Sequence, residues 1–123
     1  IQGFVKSFEV FLEGSKLGYV LISRRSNRKG GTRYFDRGMD EDGYVANFCE
    51  TEQVVRLEEY VVSDLQIRGS VPLFFEQVGL TTRTKLNRGY ELTHQVYKKH
   101  IERLIRNYRR VFFANLLSVG KNG

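Results

Sequence analysis

THQVYKKHIERLIRNY at Thr93–Tyr108 decides the fold, because it alone sustains a helical period after a long region that reads as strands. Val96, Tyr97, Ile101, Leu104, Ile105 and Tyr108 recur at three- and four-residue steps and make one apolar stripe. Thr93 stands where an N-cap is needed. Lys98, Lys99, Arg103, Arg106, Arg109 and Arg110 fill the rest of the surface and the C-terminal end, where cations suit the helix dipole. Beyond it, Val111 to Leu117 reads as a buried strand, and Gly120-Lys121-Asn122-Gly123 as a turn.

Upstream the period changes from helical to alternating. Phe4, Phe8, Val10 and Leu12 lie in a strand over Gln2 to Leu12; Glu13-Gly14-Ser15-Lys16 is turn chemistry, and Tyr19 to Ile22 is a second strand, so the pair reads as a hairpin. Asn27 to Gly31 is a loop, followed by a short strand through Tyr34-Phe35. Asp40-Glu41-Asp42-Gly43 is a turn whose glycine can take positive φ. Val45 to Phe48 reads as another strand, and Val54 to Ile67 as extended chain around a connection at Leu57-Glu58-Glu59. Pro72 suits a strand exit. Strands, then a helix, then a strand predict an α+β fold: a mixed β-sheet with at least one helix packed on it, incomplete as it stands.

The 123 residues can bury a core, and 41% hydrophobic with 28% charged residues is the balance of a globular domain. No apolar run approaches the ~20 residues that span a bilayer. No signal peptide is visible, and a first strand that starts abruptly without Met leads us to expect a segment of a larger protein. One cysteine excludes an internal disulfide framework and is compatible with a reducing compartment.

The net charge of +6 conceals segmentation. Arg24, Arg25, Arg28, Lys29, Arg33 and Arg37 form one basic block. Gly38 to Asp64 is acidic, with Arg56 as its only base, and Arg83 to Arg110 is basic again. The blocks can fold back on one another as complementary surfaces, or concentrate positive potential where a polyanion docks.

Cys49 is not a convincing nucleophile. Glu50 and Glu52 beside it disfavour the thiolate that attack requires. Arg56 gives the spacing Cys-x6-Arg, one residue too long for a phosphate loop, inside alternating sequence rather than a glycine-containing loop that opens a helix. A buried structural thiol is the better reading. His94 and His100 are six apart, which does not bring them together on a helical face, and no cluster has metal-ligand spacing.

Arg24, Arg25, Arg28, Lys29 and Arg33 surround Gly30-Gly31-Thr32. Guanidinium forks suit phosphate oxygens, and glycines let backbone N–H groups approach an anion. The order Lys-Gly-Gly-Thr is not that of a nucleotide P-loop. On residue chemistry alone, phosphate contact and salt bridges to the acidic block fit equally well. A nucleic-acid module is the weaker alternative: pI ≈ 9.6 favours it, but no zinc-finger spacing, RNP-like motif or helix-turn-helix is present.

Four runs carry the most specific pattern: ISRRS at Ile22–Ser26, GTRYFDRG at Gly31–Gly38, NFCETEQ at Asn47–Gln53 and QIRGSVPLFFEQ at Gln66–Gln77. In order and spacing they resemble the Sac domain of phosphoinositide phosphatases, where SRRS, AGTRY, an Arg-Gly pair, an acidic-Gly turn, VANFVETEQ and Q-x-RGS-x-P follow one another. The resemblance covers almost the whole chain and is nearest to synaptojanin-type domains. Departures are mild: Gly30 replaces Ala, Cys49 replaces Val, Phe75 replaces Trp, Tyr44 replaces a small polar residue, and Asp64-Leu65 is less apolar than usual.

The resemblance implies that residues 1–123 are a partial Sac domain lacking the downstream Cys-x5-Arg segment, with no catalytic residue of its own. The complete domain would hydrolyse phosphate monoesters of phosphatidylinositol phosphates through that cysteine, without metal or other cofactor. Arg24, Arg25, Arg33 and Arg68 would shape or line the anionic pocket; Asn47, Glu50 and Glu52 would organise it. Arg68-Gly69-Ser70 can equally be a tight turn that buries an ion pair. Implied partners are phosphoinositide head groups, the anionic membrane surface and the rest of the domain, not nucleic acid. The implied location is cytoplasmic and peripheral at membranes. A non-catalytic phosphoinositide-binding scaffold with the same fold is the alternative. The helix bases can also face anionic lipid, each contributing ~1 kcal/mol near the surface.

Overall fold

Alternating side chains and two tight turns build a four-stranded antiparallel sheet from the first half of the chain. A computed structural model describes residues 2–30, 37–77 and 84–116. Strands β1 (Gln2–Leu12), β2 (Ser15–Arg25), β3 (Cys49–Leu57) and β4 (Tyr60–Arg68) lie side by side in that order. The β1–β2 turn places Glu13 at φ 49° and Gly14 at φ 80°. Positive φ at both central residues is what a two-residue hairpin needs to match strand twist. Register runs from Gln2 opposite Arg25 to Leu12 opposite Ser15. It continues with Arg24 opposite Glu50 and Cys49 opposite Arg68.

Two short strands, β5 (Phe75–Gln77) and β6 (Thr84–Leu86), pair antiparallel as a second sheet, and helix α1 runs Tyr90–Tyr108. The architecture is α+β as expected. Every named strand pair is antiparallel, so among the described residues the sheet is not mixed.

The helix does not pack on the face of the large sheet. Its buried residues Val96, His100 and Leu104 turn toward the acidic segment between β2 and β3, where Met39, Val45, Phe74 and Val96 form the core with Phe48 beside them. Burying a side chain such as Val96 stabilises by about 1.5–3 kcal/mol. Asp40 shapes that segment: its carboxylate accepts the N–H groups of Asp42 (3.0 Å) and Tyr44 (2.8 Å). Gly43 follows at φ 78°, and a Cβ there would lie 3.0 Å from the Val96 carbonyl oxygen. A glycine turn is what allows backbone and helix to touch.

Three local expectations are corrected. Val45 to Phe48 is not a strand; Val45 makes one bridge to Met39, and Ala46-Asn47 turn, with Asn47 at φ 56°. Thr93 does not cap the helix. The N-cap is Gly89, and Thr93 sits inside the first turn, its hydroxyl donating to the Gly89 carbonyl at 2.8 Å. Residues 111–116 form no strand and are not buried, with Phe112 94% exposed; among the described residues no strand pairs with them. The expected Tyr34-Phe35 strand, Leu117 and the Gly120–Gly123 turn lie outside the described residues. Among the described residues no helix is long and apolar enough to cross a membrane.

Candidate functional site

The motif runs meet in space through backbone. Ala46 N–H donates to the Gly38 carbonyl at 2.8 Å, and Ser70 N–H donates to the Ala46 carbonyl at 2.9 Å. Ser70 Oγ in turn accepts the Gly38 N–H at 2.8 Å. Ser26 N–H reaches the Phe48 carbonyl at 2.9 Å. Gly69 belongs to this knot, since a Cβ there would stand 2.8 Å from a Val45 methyl. Arg-Gly, Val-Ala-Asn-Phe and Arg-Gly-Ser stretches thus hold one another in place.

Above this knot, strand alternation separates the candidate arginines. Arg24 shares a sheet face with Glu50 and Glu52, and its guanidinium lies 3.6 Å from Glu50 and 2.5 Å from Glu52. Glu52 also accepts the Ser63 hydroxyl at 2.8 Å. These contacts, with Arg24 foremost, hold the Glu52 carboxyl below its ordinary range. Glu50 accepts a short hydrogen bond from Tyr108 Oη at the end of α1. Burial first, then Glu50, raises the Tyr108 phenol well above its usual value, so Tyr108 stays protonated and remains a donor. Arg25 emerges on the other face but reaches the Asn47 side-chain oxygen at 2.6 Å.

Arg24, Arg25 and Glu50 line one hollow of about 290 Å³, closed by Phe48, Tyr44, His100, Arg103, Leu104 and Tyr108. Glu52 and Asn47 flank it as partners of Arg24 and Arg25. Arg68 is not in that group: it stands opposite Cys49, exposed, and no carboxylate pairs with it among the described residues. The ion pair considered for its turn is therefore absent there. Arg33 lies outside the described residues. Among the described residues no cluster could hold a metal ion.

Cys49 is buried, 3% exposed, with Sγ 3.4 Å from Ser23 Oγ. Its acidic neighbours do not act on it as expected, because alternation sends Glu50 and Glu52 to Arg24's face. Burial alone would raise the thiol's pKa, yet Ser23, Arg68 and Thr51 outweigh it and leave the group below its ordinary value. A lowered pKa without access does not make a nucleophile.

Tyr108, His100 and Arg103 are site residues that sequence reasoning missed. Tyr108 was absorbed into the apolar stripe, and Arg103 into the solvated face. In fact Arg103 donates to the Gly43 (2.9 Å) and Asp42 (2.7 Å) carbonyls. Their position on the helix was readable; their partners were not.

A family model described as SacI homology domain matches residues 1–123. Inositol-1,4,5-trisphosphate 5-phosphatase 1 of Schizosaccharomyces pombe is 40% identical over 123 residues, which cover 98% of this chain and 11% of that protein. Human Synaptojanin-1 is 48% identical over 100 residues, 79% of this chain and 6% of its own length. Phosphoinositide phosphatase SAC6 of Arabidopsis thaliana is 42% identical over 125 residues, spanning 100% of this chain and 21% of the relative. The chain thus corresponds to a minor part of each.

Proposed function

The chain belongs to the SacI homology domain family, and from that premise we propose that it is part of an enzyme that removes phosphate from phosphatidylinositol phosphates. The attacking thiolate comes from a Cys-x5-Arg loop outside these 123 residues. It would displace the inositol oxygen in line at phosphorus, forming an S–P bond as the P–O bond breaks, with the departing oxygen taking a proton. Water then hydrolyses the phosphocysteine and restores the thiol. Such an enzyme works peripherally at the anionic cytoplasmic face of a membrane.

One observation carries the assignment of the nucleophile elsewhere: the single cysteine is a buried residue at the start of β3, paired within the sheet opposite Arg25 and Arg68. The role of this chain is then structural support for an anionic pocket. Arg24 is fixed by Glu50 and Glu52, and Arg25 by Asn47, so their geometry is set before any ligand arrives. Arg33 and Arg68 stay as further candidates for the pocket lining.

Phosphate release from phosphatidylinositol phosphate vesicles tests this reading. The purified chain should release none, whereas a longer protein carrying the downstream loop should. Release by the chain alone, abolished in Cys49→Ser, would overturn it.

A further inference from the structure

The last residue of α1 ties the helix to the large sheet. Tyr108 Oη donates a short hydrogen bond to Glu50 Oε1, on the sheet face that Glu50 shares with Arg24 and Glu52. The ring is anchored where it stands. Leu104, one turn earlier, is buried, and the Arg109 N–H closes the final turn on the Ile105 carbonyl at 2.8 Å. Burial, and then Glu50 itself, keep the phenol protonated, so toward that carboxylate Tyr108 acts only as a donor.

The two glutamates beside Arg24 are not equivalent. Glu50 is the residue directly across from Arg24 in the β2–β3 register, while Glu52 is diagonal to it. Opposite charges placed directly across two strands attract, so register favours Glu50 as the acceptor. The contacts run the other way. Glu52 Oε2 takes the Arg24 Nη2 donor at 2.5 Å, and Ser63 Oγ donates to the same carboxylate at 2.8 Å. Glu50 Oε2 stays 3.6 Å from Nη1, beyond hydrogen-bonding reach. The tether to Tyr108 accounts for this inverted order. Arg24, Glu50 and Tyr108 line one hollow together, and Glu52 lies outside its lining.

We propose that Tyr108 is a positioning residue: by holding Glu50 away from Arg24 it leaves Nη1 of that guanidinium open to an incoming anion. The proposal rests on Arg24 belonging to the anionic pocket, and adds the residue that keeps it available there. Without the phenol hydroxyl, the freed carboxylate would close on Nη1. Arg24 would then bridge two glutamates, and an anion would have to displace one of them before it could form a charge-assisted hydrogen bond of its own. Tyr108 thus acts on the arginine through Glu50, without touching the ligand.

Tyr108→Phe tests this, because it removes the hydroxyl and keeps the packed ring. The first readout is the Glu52 carboxyl, whose side-chain hydrogen bonds come from Arg24 and Ser63 and not from Tyr108. In the purified chain, NMR titration should show Glu52 titrating higher in Tyr108→Phe than in the wild type, since Glu50 would draw nearer and share Arg24. The same substitution in a Glu50→Gln background should leave Glu52 unmoved. An unshifted Glu52 in Tyr108→Phe, or an equal shift with Glu50→Gln present, overturns the proposal and makes Tyr108 a packing residue. The second readout uses the longer protein that carries the downstream loop. There Tyr108→Phe should raise KM for phosphatidylinositol phosphate vesicles about tenfold with kcat little changed, as loss of one hydrogen bond to a charged group does. In the Glu50→Gln background that rise should disappear. With the Glu52 shift present, an unchanged KM also overturns the proposal, by removing Arg24 from the pocket. A longer wild-type protein that releases no phosphate defeats the phosphatase reading instead, and the Glu52 titration still decides whether Tyr108 controls Arg24.

Discussion

His100 Nδ1 lies 2.9 Å from the carbonyl oxygen of Gly43, joining a buried helix side chain to a turn 57 residues earlier. Burial, helped by the nearby Arg103 charge, lowers the imidazole pKa below 6.5 despite the opposing hydrogen bond. The unfolded chain therefore binds this proton more readily than the folded one. Stability from a neutral His100 is complete above pH 6.5 and is lost as pH falls below it. Urea midpoints at about pH 7.5 and about pH 5.5 should show the drop. His100→Gln should flatten it, and an unchanged slope in that variant would assign the effect elsewhere.

Gly38 and Gly14 should respond differently to alanine, although both have positive φ. At Gly38, φ is 72° and a Cβ would sit 2.4 Å from the Leu73 carbonyl oxygen; at Gly14, φ is 80° with nothing within 4 Å. Gly14→Ala should cost about 1 kcal/mol from backbone strain alone. Gly38→Ala should cost about 3 kcal/mol or more, because the knot must also move. Equal losses in chemical denaturation would mean that the Gly38 contact is not tight.

Cys49 should behave as a core residue with a masked thiol. Cys49→Val should change stability by less than about 1.5 kcal/mol, as a near-isosteric core swap does. Despite the lowered pKa, thiol labelling should be much slower in the native chain than in urea, because access and not ionisation limits it. Native labelling as fast as unfolded labelling would refute the burial.

Arg24 and Glu52 should prove thermodynamically coupled. The folded carboxyl is lowered by its hydrogen bond to Arg24 and then by Ser63, so its contribution is present above 4.5 and lost as pH falls through the folded value. Carboxyl titration by NMR should show Glu52 moving up toward its ordinary value in Arg24→Gln. The difference should shrink with added salt, since the pair is open to solvent. A salt-independent difference would argue against direct ion pairing.

The sheet leaves large apolar side chains uncovered on both faces. Phe11 is 70% and Val61 65% exposed on one face, and Phe4 53% on the other. Strands β1 and β4 are also the outer strands of the sheet among the described residues. The purified chain should self-associate with rising concentration in sedimentation velocity, and Phe11→Lys with Val61→Lys should suppress this. A monomeric wild type at all concentrations would contradict it.

Local rules made much of the fold legible. Alternation and turn residues gave the β1–β2 hairpin and extended chain on either side of the Leu57-Glu58-Glu59 connection, though not the start of β3 at Cys49, and the three- and four-residue steps gave α1, since these periods depend only on backbone geometry. Motif order pointed to the family because residue identity is local too. Partners were a different matter. The stripe on α1 required an apolar surface but could not say that Met39 and Val45, rather than the sheet, supply it. Residues 111–116 looked like a buried strand because apolar composition carries no information about whether a neighbour exists.

The same division runs through the site. The motif resemblance selected Arg24, Arg25, Arg33 and Arg68 with Asn47, Glu50 and Glu52, while residue chemistry left phosphate contact and salt bridging equally open for the bases around Gly30-Gly31-Thr32. Only the register of β2 on β3 put Arg24 between Glu50 and Glu52, turned Arg25 toward Asn47, and left Arg68 beside Cys49. Only the docking of α1 brought Tyr108 to Glu50, 58 residues away, and Arg103 to Tyr44. A strand's period says which residues share a face, but the charge that each one meets is set by chains that arrive from elsewhere in the sequence.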